Sequence, residues 1–157
     1  MKTVIAEKPS VAREIASLLG AGTKNDGYFS GNGYFVTWAF GHLVGLGMPS
    51  DYGISGFSGD ALPILPNPFV LTERKMKRGK EWVSDKNSVR QLKVIEQLFQ
   101  KSEGIIVATD AGREGELIFR YIYEFLGCSK PFERLWISSL TEKAIKKGFE
   151  NLVSGSE

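Results

Sequence analysis

Two stretches of this chain leave little choice about its architecture. KTVIA (residues 2–6) and GIIVAT (104–109) are short, β-branched and almost wholly apolar. They lack the polar alternation of a strand with one wet face, so both read as buried strands. Helical patterns lie between and after them. Val11, Ile15, Leu18 and Leu19 form an i, i+4, i+7, i+8 stripe that Gly20 ends, with Ser10 placed to cap it. Residues 88–99 carry apolar side chains at 92, 95, 98 and 99, and a further helix is expected over 112–126. FERLWIS (132–138) reads as a third core strand, followed by an amphipathic helix over SLTEKAIKKGFENL that Ser139 or Thr141 would cap. Alternating strands and helices predict an α/β fold: a mostly parallel sheet flanked by helices, with right-handed crossovers.

Between these elements GYFSGNGYFVTWAF (27–40) predicts a hairpin turning at Asn32-Gly33. Residues 41–68 are rich in Gly, Pro and Ser and read as a long loop, of the kind that is often functional. A single domain over 1–157 is expected, with an insertion at about 23–85. The net charge of +2 does not by itself argue for nucleic acid, and the single cysteine, Cys128, excludes an internal disulfide framework or a multi-cysteine zinc site. No run of ~18 apolar residues is present, and the apolar start is too short for a secretory signal. These features predict an intracellular chain with no membrane partner.

In parallel α/β sheets the site lies beyond the carboxyl ends of the strands. Glu7 directly follows the first strand, and Asp110 follows GIIVAT in the acid-rich stretch ATDAGREGE (108–116). If those strands are adjacent, the two carboxylates meet. Glu114 continues the buried stripe of its helix (Ile118, Tyr121, Ile122, Phe125) and is expected to point to the top of the sheet. Glu116 is about 200° away from it, at ~100° per residue, and is expected to face outward and pair with Arg120. Acids at a helix start also serve as caps and dipole partners. Two converging carboxylates, however, repel unless a cation joins them. Magnesium, which takes one or two carboxylates and bridges to phosphate, suits such a site. Lys8 adds a positive charge for a phosphate oxygen.

AEKPS (6–10), GHL (41–43), LPILP (62–66), ATDAGREGE (108–116) and RLWISSLTEKAI (134–145) together resemble the N-terminal Toprim domain of prokaryotic type IA DNA topoisomerases, of the topoisomerase III branch. The resemblance runs from Lys2 to about residue 150. It implies a Toprim fold, a Rossmann-like sheet, and Mg2+-dependent (Mn2+ substituting) cleavage and religation of single-stranded DNA in the cytoplasm, at the bacterial nucleoid. By position Glu7 and Asp110 match metal-binding acids, Lys8 matches the lysine at the scissile phosphate, and Arg113, Glu114 and Glu116 match the REGE motif. Glu7, Lys8 and Glu114 are thereby expected to be catalytic, Glu7, Asp110 and Glu114 to hold metal, and Arg113 to touch DNA. The family's second aspartate is replaced by Gly112, which leaves one or two metals open; glycine there would also accept φ > 0 at the turn. The family's nucleophilic tyrosine lies in a later domain, and none of the five tyrosines here sits in a similar motif. The chain is therefore expected to be a fragment, inactive alone, whose partners are single-stranded DNA and the remaining domains of the same enzyme.

Smaller expectations concern His42, the only histidine, either a hydrogen-bonded structural residue or a residue near DNA. The run RKMKRGK (74–80) is either solvated surface or a set of phosphate contacts by Arg74, Lys75, Lys77, Arg78 and Lys80. Phe57 either stacks on a base or fills the core, and Trp38, Trp82 and Trp136 are assigned to packing. Two other functions fit the same acids or the same basic run: another Toprim enzyme, a primase or nuclease, and a non-catalytic DNA-binding module. RLWISSLTEKAI argues against the first, and a requirement for metal would separate the second.

Overall fold

The computed structural model describes residues 1–53, 70–137 and 139–155. At its centre is β1 (Lys2–Ala6), hydrogen-bonded in parallel to β4 (Tyr34–Trp38) on one side and β9 (Gly104–Ala108) on the other. β10 (Phe132–Arg134) extends the parallel set beyond β9. Antiparallel strands close both edges: β11 (Val153–Ser154) beyond β10, and β3 (Tyr28–Gly31) and β2 (Thr23–Asn25) beyond β4, giving the order β11-β10-β9-β1-β4-β3-β2. The predicted mostly parallel α/β sheet is therefore found. Residues 23–38 are strands of this main sheet. Two small antiparallel pairs stand apart from it: β5 (Val44–Leu46) with β6 (Leu71–Glu73), and β7 (Lys75–Arg78) with β8 (Glu81–Ser84).

The strand period of two sorts the core. Ile5, Ile105 and Val107 face a layer made by α2 (Lys86–Lys101) and α3 (Arg113–Phe125), where Leu92, Ile95, Phe99, Ile118, Phe119 and Ile122 are buried. Val4, Ala6, Ile106 and Ala108 face α1 (Pro9–Leu19) and α4 (Glu142–Glu150), which contribute Ala12, Ile15, Ala16 and Ile145. Runs buried on both faces need no polar alternation, which is why β1 and β9 read so plainly as strands.

Local chemistry sets the ends. The hairpin turn at Asn32-Gly33 has φ of 49° and 81°, the pair of positive values that an Asn-Gly turn accepts. Lys8, not Ser10, is the N-cap of α1, with Pro9 in its first turn where no donor is lost. Asp85 caps α2 by accepting from the Asn87 N–H, and Thr141 caps α4 by accepting from the Ala144 N–H. The third core strand is shorter than FERLWIS suggested, since β10 ends at Arg134. A buried glutamine ties the helical layer to the sheet: the Gln91 amide donates to Gly27 O, Thr37 Oγ1 and Trp38 O at 3.1, 3.1 and 2.8 Å. That clamp fixes the exit of β4, from which the chain runs on to His42.

Candidate active site at the carboxyl edge of the sheet

Register brings the site together. Ala6 pairs with both Trp38 and Ala108, so β1, β4 and β9 end at one level. The ladder continues just past them, with Ala39 N–H donating to Ala6 O and Leu135 N–H donating to Val107 O, both at 2.9 Å. Glu7, His42, Asp110 and Trp136 thus follow four neighbouring parallel strands at the same edge.

Glu7 and Asp110 meet as expected. The Asp110 N–H donates to Glu7 Oε2 at 3.2 Å, across 103 residues of sequence. Partial burial, and then the Asp110 charge, raise the Glu7 carboxyl above its ordinary value, against the pull of that N–H and of Lys8. A carboxyl pushed up by desolvation and a like charge is one that gains from a cation. Two neighbouring carboxylates suit magnesium, which commonly takes one or two together with waters and phosphate. The residues present therefore fit a divalent ion at Glu7 and Asp110. Lys8 is exposed beside them at the start of α1.

Glu114 is placed otherwise than the helix stripe suggested. Its carboxylate turns to His42, with Nε2 and Oε1 2.6 Å apart, a bond in which the imidazole N–H donates. Among the described residues no three acids, histidines or cysteines group as metal ligands. His42 itself packs its ring 6.1 Å from that of Tyr121. His42 is thus hydrogen-bonded, at the edge where Glu7 and Asp110 also lie.

Glu116 accepts from Arg120 Nε at 2.8 Å, the expected i, i+4 pair, and is not simply a surface residue. Arg134 grips the same carboxylate, donating from Nη2 at 2.6 Å. Both guanidiniums lie over the Phe132 ring, 4.9 and 5.5 Å from its centroid. Arg113 is exposed and carries no ion pair among the described residues. In the basic run, Lys75 is tied to Asp51 at 2.7 Å and holds that carboxyl below its ordinary value. Arg74 reaches Phe40 O at 3.4 Å, while Lys77, Arg78 and Lys80 are exposed around the β7–β8 turn. Phe57 lies outside the described residues. Trp38 packs against Phe29, but Trp82 and Trp136 are 55% and 61% exposed, contrary to a packing role.

The strand-to-helix turn depends on a glycine that the sequence reading passed over. Gly112 is extended, with φ −119° and ψ 173°, and a Cβ there would meet nothing within 4 Å. Positive φ is therefore not its reason. Gly115, in the first turn of α3, is buried against the loop, where a Cβ would lie 2.1 Å from Asp110 O and 2.8 Å from Asp110 N. The Thr109 hydroxyl donates to Gly115 O at 3.0 Å and locks the contact. A glycine inside a helix costs ~1 kcal/mol against alanine, and that penalty was the available signal.

The Toprim domain family matches residues 2–140. The DNA topoisomerase 3 of Bacillus subtilis (strain 168) is 48% identical over 157 residues, and that of Bacillus licheniformis 46% identical, each match covering 98% of this chain and 20% of the relative. The DNA topoisomerase 3 of Bacillus thuringiensis (strain Al Hakam) is 49% identical over 155 residues, 97% of this chain and 20% of the relative. The chain thus spans about a fifth of the length of these curated relatives. Among solved structures, full-length topoisomerase I from Thermotoga maritima superposes with a TM-score of 0.60 at 22% identity, over 97% of this chain and 21% of that one, a likeness of fold.

Two outcomes follow from this geometry. Gly115→Ala is expected to destabilise the domain by roughly 1–3 kcal/mol through overpacking against backbone, whereas Gly112→Ala stays within about 0.5 kcal/mol; urea unfolding of both variants measures this. The second concerns pH in metal-free buffer. A carboxyl raised in the folded state binds its proton more tightly folded than unfolded, so its contribution is most favourable at low pH and is lost as the pH rises through the raised value. Glu7→Gln, always neutral and still able to accept the Asp110 N–H, should therefore melt higher than wild type at pH 7. The gap should close as the pH falls below 4.5, the ordinary value for this group. Thermal melts across that range check it.

Proposed function

The chain belongs to the Toprim domain family, and from that membership we propose that it is the metal- and phosphate-binding part of a type IA DNA topoisomerase acting on single-stranded DNA. The observation that carries this reading is the meeting of Glu7 and Asp110 at the ends of adjacent parallel strands, one backbone hydrogen bond apart and next to Lys8. The similarity to the Bacillus enzymes over nearly the whole chain supports it. Glu7 and Asp110 would hold Mg2+, with Mn2+ able to substitute. Bound there, the ion would supply charge stabilisation at a phosphoryl oxygen.

The remaining roles belong to the chain's own groups. Lys8 binds the scissile phosphate as a point charge. Glu114 would hold the ion's waters or serve proton transfer at the leaving DNA oxygen, and His42 sets the direction of its carboxylate. Arg113 contacts the DNA backbone. Glu116, fixed by Arg120 and Arg134, braces the first turn of α3 rather than taking part in the chemistry. Lys77, Arg78 and Lys80 offer additional phosphate contacts, and their sequence-independent contribution would fall as salt is added. The nucleophilic tyrosine is supplied by another part of a longer protein, so this chain by itself leaves supercoiled DNA unchanged.

Manganese titration followed by paramagnetic broadening of amide resonances tests the site. Wild type should bind with millimolar-scale affinity, on the order of −4 kcal/mol, and broaden resonances around residues 7 and 110. Asp110→Asn should lose that broadening without unfolding. Gly112→Asp, whose new carboxylate has open space to enter, should bind more tightly. Equal broadening in Asp110→Asn would remove Asp110 from the ligand set.

A further inference from the structure

A cleft of about 400 Å³ is bordered by the Asp110 loop. Asp110 and Arg113 line it from the loop and the start of α3, Arg120 and Glu116 from further along that helix, and Arg134 and Trp136 from the end of β10. Its size is that of a small-molecule site. Two features set it apart from ordinary surface. Trp136, at 61%, is the most exposed of the large apolar side chains among the described residues, although it stands only two positions beyond a core strand. Three guanidiniums face two carboxylates, and Arg113 alone among the three lacks an ion pair among the described residues. The paired arginines are immobilised on Phe132 and Glu116, so they form a wall, while Arg113 is free to bind.

We propose that this cleft binds one nucleotide of a single strand, its base stacked on Trp136 and its phosphate held by Arg113. An exposed indole face is a stacking platform for any base, and the guanidinium fork matches phosphate oxygens. A paired duplex cannot use this platform, because its bases are already stacked on one another; the site therefore takes single strands. Asp110 borders both this cleft and the carboxylate pair with Glu7. The proposal rests on the reading of that pair as the phosphate and metal site, and it extends the strand's path by one subsite. The sequence reading assigned Trp136 to packing, Arg113 to DNA and Asp110 to metal, and gave no sign that Trp136 is exposed beside the other two.

The test uses short oligothymidylate and an abasic chain of equal length, titrated into the protein while the indole N–H signals of the three tryptophans are followed. Trp136→Phe assigns the Trp136 signal, and Trp82→Phe is the control for the other exposed indole. On oligothymidylate the Trp136 indole should shift. Trp136→Ala should weaken that binding by about 5- to 150-fold, the equivalent of one stacked base, and leave abasic binding unchanged, with Trp136→Phe retaining most of the affinity. Arg113→Ala should weaken both chains and reduce the salt slope by about 0.7, one single-strand phosphate. The proposal is overturned if oligothymidylate binds with the Trp136 signal unmoved, if Trp136→Ala loses affinity equally for both chains, or if neither chain binds. Failure of manganese to act at Asp110 would instead remove the metal reading. A silent Trp136 in a protein whose Asp110 takes manganese overturns this subsite alone.

Discussion

The register of β1 between β4 and β9 is the constraint on which the rest depends. Pairing of Ala6 with both Trp38 and Ala108 levels three strand ends. A slip of one residue would turn Ile5 to the α1 and α4 layer and Val4 and Ala6 to the other, since side chains alternate with a period of two. The hydrophobic core thus enforces the register, and the register delivers Glu7 to the Asp110 N–H. Gly115 completes the arrangement from the helix side. By having no side chain it lets the first turn of α3 rest on the Asp110 backbone, with Thr109 tying the two together. Core packing and site geometry are in this sense one problem: apolar strands buried on both faces place polar groups at their ends.

That geometry divides the acids of ATDAGREGE by partner. Glu116 is neutralised by two arginines, and Glu114 is held by His42. Glu7 and Asp110 have chiefly each other, and burial makes the Glu7 charge costly. The negative charge concentrated at this strand-to-helix turn is therefore spread over three environments, one of which sets Asp110 beside the carboxylate of Glu7. Glu114 remains at the same edge, one hydrogen bond from His42.

Much of this was legible where a local rule applied. β1 and β9 were visible in composition, the Asn32-Gly33 hairpin in turn chemistry, and the meeting of Glu7 with Asp110 in the rule that sites lie beyond parallel strand ends. The helix period also found the Glu116–Arg120 pair. What escaped was set by distance between segments. His42 and Glu114 are 72 residues apart, and Arg134 reaches Glu116 from another strand. Helical phase set Glu114 on the buried stripe, but its exposed carboxylate turns to His42, a neighbour that phase does not report. Gly112 drew attention because it departs from a family pattern, while Gly115, the glycine the structure requires, matches that pattern and so drew none. The first strand and the turn of the β7–β8 hairpin were hidden within a run read only for its charge, although Gly79, at φ 65°, marks the turn.

The central claim is that Glu7 and Asp110 act as one divalent-ion site. A double-mutant cycle in manganese affinity, using Glu7→Gln, Asp110→Asn and the pair together, tests it most directly. Joint ligation predicts that either single change removes most of the binding and that the double change removes little more. Losses that simply add, or a single change that leaves affinity intact, would contradict it.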